Sequence, residues 1–207
     1  MGKIKTLDEL YIGQVQDLYS AEDQLIKALP KVAEKATDKK LKKAIEDHLE
    51  ETKTHRDRIV QILDGHGEKA GEETCMAMKG LIKETDEHLK DEMTPEVCDA
   101  LIIACAQRVE HYEISGYGTA ATYAEMLGHD EDAELLRMTL DEEKTADETL
   151  NDIAMSNVNK KANKGESDSK SKSASSKNGT ASASASKSTS AKKSTEKEKS
   201  GASAARK

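Results

Sequence analysis

The sequence contains no tryptophan and no phenylalanine, and its five tyrosines are its only aromatic residues. It has two prolines before a Lys/Ser/Ala-rich end, Pro30 and Pro95, and no segment alternates with a strand period. These absences exclude a β-rich fold and predict an all-α one. The three cysteines, Cys75, Cys98 and Cys105, form no CxxC pair and leave one over under any pairing. A disulfide framework is thereby excluded, and a reducing compartment, the cytoplasm, is expected. Cys98 and Cys105, seven residues apart, fall on one helix face as small core residues. No apolar run is long enough to span a bilayer, and the N-terminus carries no signal-peptide core. Also missing are a nucleophile-and-base arrangement for hydrolysis, a phosphate-cradling loop and a dinucleotide fingerprint.

Charge is abundant and unevenly placed. The net charge of -8 over 207 residues hides two opposed regions. Residues 159–207 carry 13 Lys+Arg against 4 Asp+Glu, which leaves 19 against 36 on residues 1–158. The basic end has no Leu, Ile, Val, Met or aromatic residue, so it has nothing to bury against the entropy of ordering. Two units follow: a helical bundle over 1–158 and a disordered basic tail over 159–207. An acidic body stays soluble and repels nucleic acid, whereas the tail is suited to nucleic acid, an acidic protein surface or the chain's own acidic domain.

Helical periodicity divides residues 1–158 into four long helices and one short one. Thr6 and Glu9 make a capping box before the stripe Leu7, Tyr11, Leu18, Leu25, Leu29 and Val32. Pro30 should kink or end that helix. A second helix starts after Thr37/Asp38 and carries Leu41, Ile45, Leu49, Ile59, Ile62 and Leu63. A shorter one holds Met76, Met78, Leu81 and Ile82. Thr94-Pro95 reads as an N-cap and N1 proline opening a long helix that ends at Leu127, before Gly128. The last helix runs from about Asp130 to Ile153 or a little beyond. This is a four-helix bundle with a short extra helix.

The chemistry lies in where the acids fall. At about 100° per residue, Glu22 sits roughly 40° from Leu18, inside the apolar stripe of its helix. Relative to Leu136, Glu143 and Asp147 lie at about -20° and +20°, on what should be the core face. In the second helix His48 and Thr52 follow the apolar stripe, with Glu51 and His55 at its edge. In the long helix Glu110 and Glu113 share a face with Ile102, Ile103, Ala106, Val109 and Tyr117. Taken singly, each has a bland explanation as a stripe-edge ion pair or a solvated face. Together they bring acids to the inner side of all four long helices, with no inward Lys or Arg to neutralise them. Buried carboxylates are costly unless paired or metal-bound. Oxygen ligands with some nitrogen and no thiolate point to two ions of iron or manganese. The expected ligands are Glu22, Glu51, His55, Glu110, Glu143 and Asp147, with Glu113 bridging or just outside. Tyr19 or Tyr117 is expected as a hydrogen-bonded neighbour. His48, His66, His88 and His129 lack comparable company and read as surface or packing residues.

An internal echo aligns Glu50-Glu51 followed by His55 with Glu142-Glu143 followed by Asp147, which suggests a pseudo-twofold site. Tyr19-Ser20-Ala21-Glu22, His48-Leu49-Glu50-Glu51-Thr52 and Ala106-Gln107-Arg108-Val109-Glu110-His111-Tyr112-Glu113-Ile114 resemble the YciE/YciF-type bacterial stress proteins. So do Leu140-Asp141-Glu142-Glu143-Lys144 and Asn157-Val158-Asn159-Lys160-Lys161. The resemblance covers about residues 4–161. It implies a ferritin-like bundle, a homodimer and a role in stress responses. One departure stands out: the Glu-x-x-His ligand pair usual in that superfamily is absent. Glu51 meets Thr54 and Glu143 meets Ala146 at that spacing, and His55 and Asp147 come one residue later. The leading expectation is a ferritin-like protein that oxidises Fe(II) or scavenges peroxide. The alternative is a non-catalytic stress protein tethered by its tail.

Overall fold

The computed structural model describes residues 4–164. They form α1 (Leu7–Lys35), α2 (Lys39–Gly65), α3 (Met76–His88), α4 (Pro95–Leu127) and α5 (Asp130–Ile153), with no strand among the described residues. The helix boundaries follow local chemistry. Thr6 accepts from the Glu9 amide while Glu9 reaches back to the Thr6 amide, closing the capping box. Asp38 caps α2, and its own amide and the amide and hydroxyl of Thr37 donate to the buried Asp99 of α4. Thr94 caps α4 ahead of Pro95, and Gly128 ends it at φ 78°, the left-handed conformation that favours glycine.

Pro30 neither ends nor shortens α1, which continues to Lys35. Its ring lies on the exposed side, where the carbonyl that loses its partner can turn to water.

Helices α1 and α2 form one antiparallel hairpin and α4 and α5 the other; α1 packs on α4 and α2 on α5. The crossover through α3 spans the bundle, so α2 and α4 run parallel, the single long connection of a ferritin-like bundle. The core is layered. At one end Tyr11, Val15, Leu18, Ile59, Ile62, Leu63, Tyr117 and Leu136 pack together with alanines of α4 and α5. At the other, Leu41, Ile45, Ile102, Ile103, Leu150 and Ile153 do so. Leu25, Met78, Val109 and Cys75 join α3 to the side of the bundle. Gly116 lets α1 and α4 approach closely: a Cβ there would lie 2.9 Å from Leu18 Cδ2.

Beyond Ile153 the chain makes a π-helical turn, Ala154–Val158, and stays helical over 159–164. The wider turn leaves Val158 buried beside Ala154. Asn157 and Lys161 both bond Asp38 Oδ2, at 2.7 and 3.1 Å. The helix thus runs six residues past the boundary expected from composition, because Asp38 offers a partner that composition does not reveal. The expected disordered tail otherwise lies outside the described residues. No helix among the described residues is long and apolar enough to cross a membrane.

Candidate metal centre

Between the two apolar end layers lies a polar one. It receives Glu22 from α1, His48 and His55 from α2, Glu110 and Glu113 from α4, and Glu143 from α5, all buried. His48 and His55 are seven residues apart and Glu110 and Glu113 three apart, so each pair shares a helix face. Two groupings result, with one donor atom per residue and all within 4.8 Å of one another. One is Glu22, His55 and Glu143; the other is His48, Glu110, Glu113 and Glu143. Glu143 belongs to both.

The layer is not satisfied by its own contacts. Glu22 Oε2, Glu110 Oε2, both carboxylate oxygens of Glu113 and of Glu143, and Nδ1 of His48 and His55 have no hydrogen-bond partner. His55 Nδ1 comes within 2.9 Å of Glu143 Oε1 and 3.7 Å of Glu22 Oε1, but without hydrogen-bond direction. His48 Nε2 lies 3.6 Å from Glu110 Oε1 and 3.8 Å from Glu143 Oε2. Leaving such groups unpaired in a core is unfavourable by about 1–3 kcal/mol each, and more for charged ones.

Protonation follows from this crowding. Burial pushes the Glu22 carboxyl up to about 8, with the Glu143 charge adding to it. Burial also raises Glu110 and Glu113 well above the ordinary carboxylate range; His48 opposes this at Glu110, and neighbouring acids reinforce it at Glu113. At Glu143 burial is outweighed by His55 and His48, which hold its pKa below the ordinary value. Burial disfavours a charged His48, yet Glu110, Glu51 and Glu143 raise it to about 10. His55 is raised against burial by Glu143 and Glu22. Protons therefore stand where cations would balance the charge.

Outer contacts orient the donors. Glu142 lies 3.0 Å from His55 Nε2 and is clamped by both terminal nitrogens of Arg58. With Nε2–H donating to Glu142, His55 presents the Nδ1 lone pair inward. Glu51 Oε2 stands 3.5 Å from His48 Nδ1 on its outer side. Tyr117 donates to Glu22 Oε1, and burial followed by the charges of Glu22 and Glu143 keeps its hydroxyl protonated. An apolar pocket lined by Leu25, Leu29, Val32, Ile82 and Ile102 reaches His48 and Glu110. A second pocket reaches the same two residues past Asp47, Glu51, Thr145 and Thr149.

A family model described as a domain of unknown function, DUF892, matches residues 6–163. The chain belongs to the DUF892 family. It is 47% identical to the protein YciF of Escherichia coli over 160 residues, 77% of this chain and 96% of that one. The crystal structure of the E. coli stress protein YciF superposes with a TM-score of 0.73 at 46% identity, covering 76% and 99% of the two chains. YcfI of Rhodopseudomonas palustris matches with a TM-score of 0.70 at 44% identity, covering 72% and 95%. The resemblance read from the sequence motifs is thus that of a family member.

In this DUF892 member the structure gathers Glu22, His55, Glu110, Glu113 and Glu143, and leaves out two expected ligands. Glu51 is 52% exposed at its side chain and backs His48 from outside. Asp147 sits in the α4–α5 seam, where Gln107 Nε2 donates to it at 3.0 Å and His111 lies at 3.5 Å. The internal echo fails for the same reason, since Glu143 is buried and its counterpart Glu51 is not. His48, expected at the surface or in packing, is in the layer; its place on the apolar stripe with Thr52 was the available signal. Of the two tyrosines, Tyr117 touches a site carboxylate, while Tyr19 packs at the edge of an apolar layer. Arg108 pairs with Glu84, away from the layer.

Proposed function

We propose that this DUF892 protein holds two iron or manganese ions in the polar layer and uses them to oxidise Fe(II) or remove peroxide under stress. Glu22, His55 and Glu143 would hold one ion; His48, Glu110, Glu113 and Glu143 would hold the other. The observation that carries this reading is the set of buried carboxylate oxygens and imidazole nitrogens without partners, facing one another across four helices. Donor atoms within 4.8 Å of one another can converge on a shared ion with small side-chain shifts. Two carboxylates and one imidazole at one position, three carboxylates and one imidazole at the other, and no thiolate suit iron or manganese. Such ions, bound as a pair, would supply the electrons that reduce oxygen or peroxide.

The chain's own residues do the rest. Glu143 ties the two positions together, Glu142 and Arg58 fix the face that His55 presents, and Tyr117 fixes one oxygen of Glu22. The apolar end layers keep bulk water away. The pocket past Asp47 and Glu51 offers an acidic approach for cations, and the apolar pocket an approach for small uncharged oxidants. The E. coli relative is a stress protein, which supports the physiological setting.

The test is metal content after anaerobic loading with Fe(II) or Mn(II), followed by peroxide and oxygen consumption. The wild-type chain should hold about two ions and Glu143→Gln essentially none in the layer. A wild-type chain that takes up no metal would reject the reading. Metal without turnover would reject only its catalytic half.

A second reading, a non-catalytic protein tethered by its basic end, is favoured by the charge split between residues 1–158 and 159–207. Mobility shift with and without residues 160–207 tests it, because phosphate binding should vanish with that segment and weaken steeply with salt.

A further inference from the structure

A second cluster of ligating side chains lies at the bundle end where α1 and α5 begin and α2 stops. His66 is the C-cap residue of α2, His129 precedes the first turn of α5, and Asp132 lies within that turn. One donor atom from each comes within 4.8 Å of the other two. The His66 and His129 rings are 4.7 Å apart, edge to face. His66 Nε2 is 2.7 Å from Asp132 Oδ2, and Tyr11 donates to that same oxygen at 3.0 Å. His129 Nε2 lies 3.3 Å from Asp8 Oδ1.

We propose that His66, His129 and Asp132 form a separate, mononuclear site for a borderline divalent ion of the Zn(II) class. Two imidazoles and one carboxylate are the donor set of three-ligand zinc sites that keep a position for water. All three side chains are partly exposed, between 17 and 29%, so solvent can complete the coordination. Tetrahedral donors around zinc stand about 3.3 Å apart; His66 and Asp132, now 2.7 Å apart, need to open by about 0.6 Å.

The surroundings are those of a ligand set held from outside. Tyr11, buried, donates its O–H to Asp132 and fixes the carboxylate. Asp8 backs His129 as Glu142 backs His55. The C-terminal end of α2 favours a cation, and the acids in the first turns of α1 and α5 offset the opposite bias of those two ends. Eleven residues of α1 separate Tyr11 from Glu22, about 16 Å along the helix, with an apolar layer between. The two centres therefore bind independently. The interior, rich in oxygen donors, suits iron or manganese, and the end, rich in nitrogen, suits zinc.

The full chain carrying Glu143→Gln, which disables the interior, is titrated with Co(II), followed by its visible absorption, and then with Zn(II) as competitor. One Co(II) per chain with the intense bands of four- or five-coordination, displaced by Zn(II), is expected. His129→Asn and Asp132→Asn, which keep hydrogen-bonding capacity, should each weaken binding at least tenfold. In the wild-type background the same substitutions should lower bound Zn(II) or Co(II) by one per chain while leaving the interior iron or manganese in place. Circular dichroism of each variant establishes that the bundle is intact. No Co(II) bands below millimolar metal, or binding that both substitutions leave unchanged, would overturn the proposal and leave the cluster as a hydrogen-bonded tie between helix ends.

Discussion

The polar layer and the apolar layers on either side of it are built from the same four helices and are equally buried, yet they are satisfied in opposite ways. Leu18, Ile62 and Leu136 gain by leaving water and by packing; nothing further has to arrive. Glu22, Glu113 and Glu143 lose water and keep carboxylate oxygens without a hydrogen-bond partner. The apolar layers hold the bundle together, and their rigidity keeps the polar layer from collapsing into private ion pairs. Stability at the ends thus maintains a binding requirement in the middle.

The widest separation between the two should appear with pH, because only the polar layer titrates. Glu22 is raised from 4.5 to about 8 and His48 from 6.5 to about 10. A raised pKa contributes stability that is complete below the unfolded value and lost as pH rises through the folded one. The metal-free protein should therefore lose stability between about pH 4.5 and 10, by thermal melts across that range. Glu143, whose pKa is lowered, acts the other way at the acid end, so its contribution falls away as pH drops below 4.5. Metal-saturated protein should reverse the trend, since uptake must expel these protons. A pH-independent melt in the absence of metal would break the comparison.

A cavity in an apolar layer comes next. Leu136→Ala should destabilise by about 2–5 kcal/mol in denaturant titrations, equally with and without metal. Glu113→Met carries the opposite sign. It removes two partnerless oxygens while keeping the volume, so the metal-free protein should gain about 1–3 kcal/mol and lose metal at the position with His48. If Glu113→Met destabilises as Leu136→Ala does, the polar layer is part of the scaffold and the contrast fails. Glu142→Gln leaves the layer intact but slackens His55, and should weaken metal binding about 10–100-fold with little change in metal-free stability. The smallest effect belongs to Gly116→Ala, which crowds Leu18 and should destabilise by about 1 kcal/mol.

Much of this was readable in the chain itself. Period and caps are local, so Thr6/Glu9, Asp38, Thr94-Pro95 and Gly128 marked helix ends that the structure keeps. Acids on apolar stripes pointed inward at Glu22, Glu110, Glu113 and Glu143. Placing a residue at the edge of a stripe was less secure: a helical wheel gives an angle but not which neighbour occupies the facing groove. Asp147 lies about 20° from the Leu136 direction and Glu51 at the edge of its stripe, yet Glu51 faces solvent behind His48 and Asp147 faces the α4–α5 seam. His48 stands alone in the sequence because its company comes from α4 and α5, more than sixty residues away.

By itself the sequence determined the all-α bundle, its charge division and the inward acids, because these follow from local periodicity and composition. Only the tertiary structure decided which donors meet. It made Glu143 common to both groupings, set Glu142 and Arg58 behind His55, and brought His66 and His129 together at the far end. Those pairings depend on the register and rotation of helices packed against one another, which no single helix encodes.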